Sequence, residues 1–296
     1  MTESPTLLRR QLGRFLRECR EATGMTIALA AGEAQISATG LQRLEAGQSK
    51  TPRTQAVRDL CTLYEVSPDE TEKTVDLAVK AGKTSDEGVV TLGGTFTEAF
   101  NLYAGMERSA RRIITFQQLV PGLLQTADYA RGLIGSFFHD RPQEEVEQRV
   151  QARLRRQVMV TRKYSPLQLD VLLHESALRR VIGSPRIMAV QIRALAEISK
   201  LPNVSVRVQP FTAGATWGLL PGGYVILDFG TNQRGNVVEP PIVFLDGAMS
   251  GDLYIENQEI VERYRELAGD IRRDTLDETD TRYLLRQVAK EYSCES

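Results

Sequence analysis

The chain is poor in the residues that build metal centres and covalent staples. Its 296 residues hold three cysteines and two histidines. Cys19, Cys61 and Cys294 lie far apart with no C-x-x-C spacing. That argues against a disulfide framework or a structural zinc site and fits a reducing compartment. No apolar run approaches the roughly 18–20 residues that cross a bilayer. The opening MTESPTLLRRQL lacks the basic-then-apolar layout of a secretion signal. These absences predict a cytoplasmic protein with no membrane span, no metal and no cofactor. An excess of one charge is missing too, since 37 Lys and Arg face 38 Asp and Glu for a net of −1. Contacts to a polyanion would therefore need individually placed cations rather than a strong overall field.

Complete catalytic motifs are also absent. His174-Glu175 is half of a zinc-protease signature, but Leu178 stands where H-E-x-x-H needs its second histidine. Gly222-Gly223 precedes a strand pattern rather than a helix, so it is no phosphate loop. Asp170, Glu175, Asp228 and Asp246 fall on or beside strand patterns. They could pair as acid and base, but exposed strand-end acids are the simpler expectation. Trp217, alone of its kind, sits in a loop pattern, where it could line a ligand pocket or pack on a sheet edge. No enzyme activity is expected.

What is present is ordinary globular material, 42% hydrophobic and 25% charged, in a length that suits two domains. Residues 1–66 carry nine basic and seven acidic residues, a net of +2, while the remainder carries 28 and 31, a net of −3. The first part reads as five short helices. Leu7, Leu8, Leu12, Phe15, Leu16 and Cys19 recur at helical spacing, with Arg9, Arg10, Arg14, Arg17 and Arg20 mostly off that stripe. Gly24 stops this helix; Thr26 and Ser37 are caps for helices over about 27–34 and 38–46, and Gly47 ends the latter. A fourth helix carries Val57, Leu60, Cys61 and Tyr64. A fifth starts at Ser67-Pro68 and runs to about Ala81. The division is thus 1–82, an all-α domain; 83–94, a Gly/Ser/Thr-rich linker; and 95–296.

The last part mixes periods. From Thr95 a helical pattern includes Phe100, Tyr103, Ala110, Ile113 and Ile114. Helices follow at about 126–134 and 142–164. In the latter Val146, Val150, Leu154 and Val158 are four apart, acids lead and arginines trail. The spacing predicts strands at 167–175, 203–211, 222–229, 241–247 and 251–257, with a helix over 185–200 between the first two and helices at about 258–273 and 278–291. Consecutive strands across loops predict hairpins and a mixed, mostly antiparallel sheet, hence an α+β domain.

Residues 26–47 fit a helix-turn-helix. Ala31 is the small residue at the crossing, Leu41 and Leu44 are inward anchors, and Ser37 caps the second helix. The candidate DNA-binding residues are Ser37, Ala38, Thr39, Gln42 and Arg43 on that helix, with Lys50 and Arg53 placed for phosphates in the following turn. The same helices could instead serve protein interaction.

The chain resembles a known set of regulators. Residues 10–66 resemble the helix-turn-helix of xenobiotic-response-element, repressor-like regulators. The likeness rests on Leu16-Arg17-Glu18-Cys19-Arg20, Gly24-Met25-Thr26, Leu41–Gly47, Val57–Leu60 and Leu63–Val66. Residues 95–292 resemble the second domain of an actinobacterial, antitoxin-like set of such regulators. Its marks are Val120–Thr126, Asp128-Tyr129-Ala130, Glu175–Arg180, Pro202-Asn203-Val204, Pro210–Gly214 and Val261–Tyr264. The resemblance implies a transcriptional regulator that binds double-stranded DNA as a homodimer. It also implies a small partner protein encoded by an adjacent gene. The second domain would dimerise or sense a ligand. The chain departs from the pattern at Ile27, Ala28 and Leu29, at Gln35 in the turn where glycine is common, and at Ala38 and Gly40. These changes remove polar contacts but leave the anchors. An antitoxin module that binds its partner protein with little DNA role is the alternative.

Overall fold

A computed structural model describes residues 7–83, 89–92, 96–138, 141–214, 222–231, 237, 239–246 and 252–294. The chain divides into two units, one of Met1–Leu92 with Leu253–Asn257, the other of Gly93–Asp252 with Gln258–Ser296.

The first unit holds the five expected helices: α1 (Leu7–Ala22), α2 (Ile27–Glu33), α3 (Ala38–Glu45), α4 (Thr54–Leu63) and α5 (Pro68–Lys83). Their apolar stripes converge on Leu12, Leu16, Ala30, Ala31, Leu41, Leu44, Val57, Leu60, Cys61, Tyr64 and Ala78. The expected caps are in place: Thr26 accepts from the N–H of Leu29 (3.2 Å) and Ser37 from that of Gly40 (3.0 Å). Helix α5 runs through Gly82 rather than stopping there. Of the stretch read as a linker, residues 84–88 and 93–94 lie outside the described residues, while Val89–Leu92 forms strand β1. Its Val-Val-Thr run favours extended backbone over a loop.

The arginines of α1 depart from the expectation. Arg9, Arg10 and Arg20 are buried. Arg9 donates to the carbonyl of Ala81 (3.2 Å), and Arg10 pairs with Glu256 at 2.8 Å with both side chains almost fully enclosed. Their hydrocarbon stems cover apolar surface while the heads find acceptors, which amphipathic spacing alone does not reveal.

The second unit is α+β. It begins with α6 (Phe96–Ser109), β2 (Arg112–Gln117), α7 (Ala127–Phe137) and α8 (Gln143–Thr161). Then come β3 (Gln168–His174), the short α9 (Ser176–Arg179), α10 (Pro185–Ile198) and β4 (Val204–Gln209). It continues with β5 (Tyr224–Asp228), β6 (Ile242–Leu245), β7 (Asp252–Ile255, most of which groups with the first unit), α11 (Gln258–Arg273) and α12 (Glu278–Cys294). The strand order runs β6-β5-β2-β3-β4. The sheet is mixed: β2, β3 and β4 are parallel, and β5 is antiparallel to both β2 and β6.

Two expectations fail here. The helix beginning near residue 95 stops at Ser109, and Ile113 and Ile114 belong to β2. The run Arg-Ile-Ile-Thr-Phe-Gln is β-branched and aromatic, and its side chains bury in alternation at first. Nor do β4 and β5 form a hairpin: β4 lies beside β3 and β5 beside β2. The connections from β2 to β3 and from β3 to β4 contain helices, and that length is what a parallel crossover requires. The core of the sheet is Phe116, Leu169, Val171, Leu173, Val206, Val208, Ile226, Leu227 and Ile242. Helices α7 and α8 make a smaller core of Ala130, Ile134, Val146 and Val150. Val158, read as the fourth residue of that stripe, is 60% exposed.

Among the described residues, no helix is long and apolar enough to cross a membrane. No cluster of His, Cys, Asp or Glu there could hold a metal ion.

Candidate nucleic-acid interface

Between α2 and α3 the chain reverses in four residues. The N–H of Ile36 reaches back to the carbonyl of Ala31 (2.9 Å), and Gln35 takes a left-handed φ of 53°. This is where the resembled family favours glycine, so the backbone shape is kept while the residue is not. Ile36 then packs on the core, and Ser37 starts α3.

One side of α3 is buried and the other is open. Leu41, Leu44 and Glu45 face inward. Ala38, Thr39, Gly40, Gln42 and Arg43 are exposed, as are Ser37, Lys50 and Arg53. Positions 38 and 42, and 39 and 43, are each four apart, so four of the expected contact residues share one face. Lys50 follows α3 in the connecting turn, and Arg53 precedes the first residue of α4. All seven expected residues thus stand at the surface of one unit. A Cβ on Gly40 would sit 2.9 Å from Ser37 Oγ, so the missing side chain leaves the cap unobstructed.

The inward side fixes the aim of this helix. Glu45, almost fully buried, accepts from Arg20 Nε (2.7 Å) and Nη2 (2.9 Å). Arg20 Nη1 also donates to the carbonyl of Met25 (2.8 Å), and Arg17 Nη2 to that of Glu45 (2.8 Å). The hydrogen bond to Glu45 raises the Arg20 pKa above its ordinary value, so the guanidinium keeps its charge. Helix α1 also crosses the end of α3 at two glycines. A Cβ on Gly13 would lie 2.6 Å from the Glu45 carbonyl oxygen, and one on Gly47 (φ 69°) 2.8 Å from the Arg10 Cα. Sequence reading found the outward residues but missed Arg17, Arg20 and Gly13, whose partners on α3 lie 25 or more residues away. The Glu-Ala-Gly end of α3 beside the Arg-Glu-Cys-Arg of α1 was the available signal.

Helix α2 offers less. Ala28, Leu29 and Gly32 are exposed, with Leu29 52% open. It presents apolar surface where a polar contact to the DNA backbone would be expected.

Three of the four acids weighed as catalytic are engaged by arginines. Asp170 is held by Arg112 (2.5 Å) and Arg272 (2.9 Å), Asp228 by Arg265 (2.8 Å). Glu175 accepts from the N–H of Phe211 (2.9 Å) and from Arg179 (3.2 Å). Asp246 follows β6 and makes contacts of its own. Trp217 lies outside the described residues.

Comparison with known proteins agrees with this layout. Residues 11–73 match the model of a helix-turn-helix domain, and residues 100–287 match that of the Domain of unknown function (DUF5753). No curated protein and no solved structure matches. The second match spans more than half of the chain, which therefore belongs to the DUF5753 family and carries a helix-turn-helix domain ahead of that region.

Proposed function

We propose that the chain is a cytoplasmic transcription regulator that binds double-stranded DNA through α3 and has no catalytic step of its own. One observation carries this reading: a helix fixed from behind by a buried ion pair presents Thr39, Gln42 and Arg43, with Ala38, on a single open face. Gln42 suits adenine and Arg43 suits guanine in a major groove, and the Thr39 and Ala38 methyls suit thymine. Lys50 and Arg53 would position the unit on phosphates. The protein would act as a homodimer, with two such helices in successive major grooves about 34 Å apart on a near-palindromic site. The second unit would dimerise or sense a ligand, in keeping with the resemblance to repressor-like, actinobacterial regulators.

The experiment is a gel shift with the DNA upstream of the protein's own gene. Specific retention that collapses in the Gln42→Ala, Arg43→Ala double variant is the expected outcome. Affinity should fall steeply with salt, and Arg53→Ala should weaken all sequences alike while reducing the salt slope by about 1. Absence of retention at low and moderate salt would sink the reading.

The exposed Ala28-Leu29 face favours a second reading. In it α2 docks on a small partner protein encoded by an adjacent gene, antitoxin fashion, with little DNA role. Co-purification with that gene's product, lost in Leu29→Glu, would support it.

A further inference from the structure

The second unit holds a cavity of about 590 Å³. That is within the range of roughly 300–1,000 Å³ that accommodates small metabolites. It lies at the amino ends of the three parallel strands, where Arg112, Gln168 and Ser205 stand. Lys200 lines it from the turn after α10, and Glu278 and Arg282 from the start of α12. Ligands of open α/β sheets more often sit at the carboxyl ends of strands. At the carboxyl end of β3 the His174 ring packs edge-on against Phe211 at 5.2 Å, and Glu175 takes the Phe211 N–H.

Both carboxylates in the cavity wall are engaged. Asp170 Oδ2 accepts from Arg112 Nε (2.9 Å) and Nη2 (2.5 Å), and its Oδ1 accepts from Arg272 Nη2 (2.9 Å). Glu278 Oε1 accepts from Ser205 Oγ (2.8 Å). Donors remain. Arg112 keeps Nη1. The Gln168 side chain makes no hydrogen bond among the described residues. Arg282 is half-buried, yet its one hydrogen bond there is a long one, Nη2 to Thr279 Oγ1 at 3.4 Å. Asp277, which attracts Arg282, already accepts from the N–H groups of Thr279 and Asp280 (both 2.8 Å). A half-buried guanidinium so thinly partnered, in the same cavity wall as a second one whose Nη1 has no hydrogen bond among the described residues, is a fork for an oxyanion.

We propose that this cavity binds a small anion of the carboxylate or phosphate class, with Arg282 as its main charge contact and Arg112 Nη1 and Gln168 as supporting donors. The site goes beyond the DNA reading and does not depend on it. Binding of the anion would persist in a chain that retained no duplex.

The test is isothermal titration of the full chain with citrate and, separately, inorganic phosphate, at an ionic strength fixed with chloride. A saturable isotherm of one site per chain with either probe is expected, and which probe binds identifies the class. Arg282→Ala should weaken it by about tenfold or more, the scale of a lost charge-assisted bond. Arg282→Lys should retain part of the affinity, and Arg263→Ala, an exposed arginine outside the cavity, should change nothing. Gln168→Glu places a negative charge in the wall without removing a bond, and it should weaken binding even if the Arg282 variant folds poorly. No saturable heat with either probe, full affinity in Arg282→Ala, or equal loss in Arg263→Ala would overturn the proposal.

Discussion

Helix α8 carries four arginines and α3 carries one, yet the availability of those charges runs the other way. On α8, Arg149 pairs with Glu145 (2.6 Å) and lies 4.4 Å over the Phe138 ring. Arg153 donates to Gln125 (2.6 Å), and Arg156 to Glu107 (2.5 Å). Burial, aided by the neighbouring Arg156, brings the Arg153 pKa down to about 10, so it is charged at neutral pH but turned inward. Burial also pushes the Glu107 carboxyl up, against the pull of Arg156. Of the four, Arg155 alone is exposed. On α3, by contrast, Arg43 is exposed and has no ion-pair partner among the described residues. Density of basic residues along a helix therefore says little about nucleic acid. What matters is whether each cation has been used inside the fold.

The largest way to test this contrast is at the carboxylates. Glu45→Ala would leave Arg20 buried without its partner, a loss of about 3–5 kcal/mol for an interior pair. Glu145→Ala on α8 removes a partly exposed four-residue pair, with an expected cost of no more than about 0.5 kcal/mol. Urea unfolding of the two variants measures both. Similar values would mean that the Arg20–Glu45 pair does not fix α3.

The next effect is on binding. Arg43→Ala should lose about 1–3 kcal/mol of specific duplex affinity and relax the preference at one base pair. Arg155→Ala should leave affinity within about twofold, because a lone exposed arginine on a solvated helix recognises nothing in particular. Competition gel shifts against random-sequence duplex separate the two. A larger loss from Arg155→Ala would reverse the comparison.

Much of this was legible in the sequence because it is local. Caps such as Thr26 and Ser37 act over three residues, and the strands from Gln168 onward show their own alternation. The outward face of α3 followed from the positions of Leu41 and Leu44. What failed was either ambiguous or distant. Ile113 and Ile114 fit a helical stripe as well as a strand, and only the pairing of β2 with β3 and β5 decides between them. Val158 was misplaced because each four-residue step advances about 40° around a 3.6-residue helix, so a stripe of four rotates off its face. The Arg20–Glu45 contact, and the parallel order of β2, β3 and β4, depend on chain returns that no short window contains.

A smaller effect concerns the turn ahead of α3. Gln35 holds φ at 53°, a conformation that costs an L side chain roughly 1–2 kcal/mol. Gln35→Gly removes that strain but loosens the unfolded chain, so the net gain should be under about 1 kcal/mol. Thermal melting of the variant reads it. A loss of stability would show that the Gln35 side chain offsets its own backbone, which its exposure argues against.

The smallest effect tests the second unit by pH. His174 Nδ1 lies 2.8 Å from Ser176 Oγ and takes the Ser176 N–H at 3.3 Å, an arrangement that suits the neutral ring with its proton on Nε2. Burial lowers its pKa, and the Glu175 charge only partly restores it. The unfolded chain then gains its proton first as pH falls, near the ordinary value of about 6.5. Stability from this group is complete above that pH and declines as pH drops toward the depressed folded value. Below both values the decline levels off. His174→Gln should keep an acceptor near Ser176 while removing the proton site. Its melting temperature should therefore fall less between pH 7 and pH 5.5 than that of the unaltered chain. An unchanged slope would mean that the ring takes up its proton as readily folded as unfolded, and that the packing of Phe211 against it does not exclude water from the carboxyl end of β3.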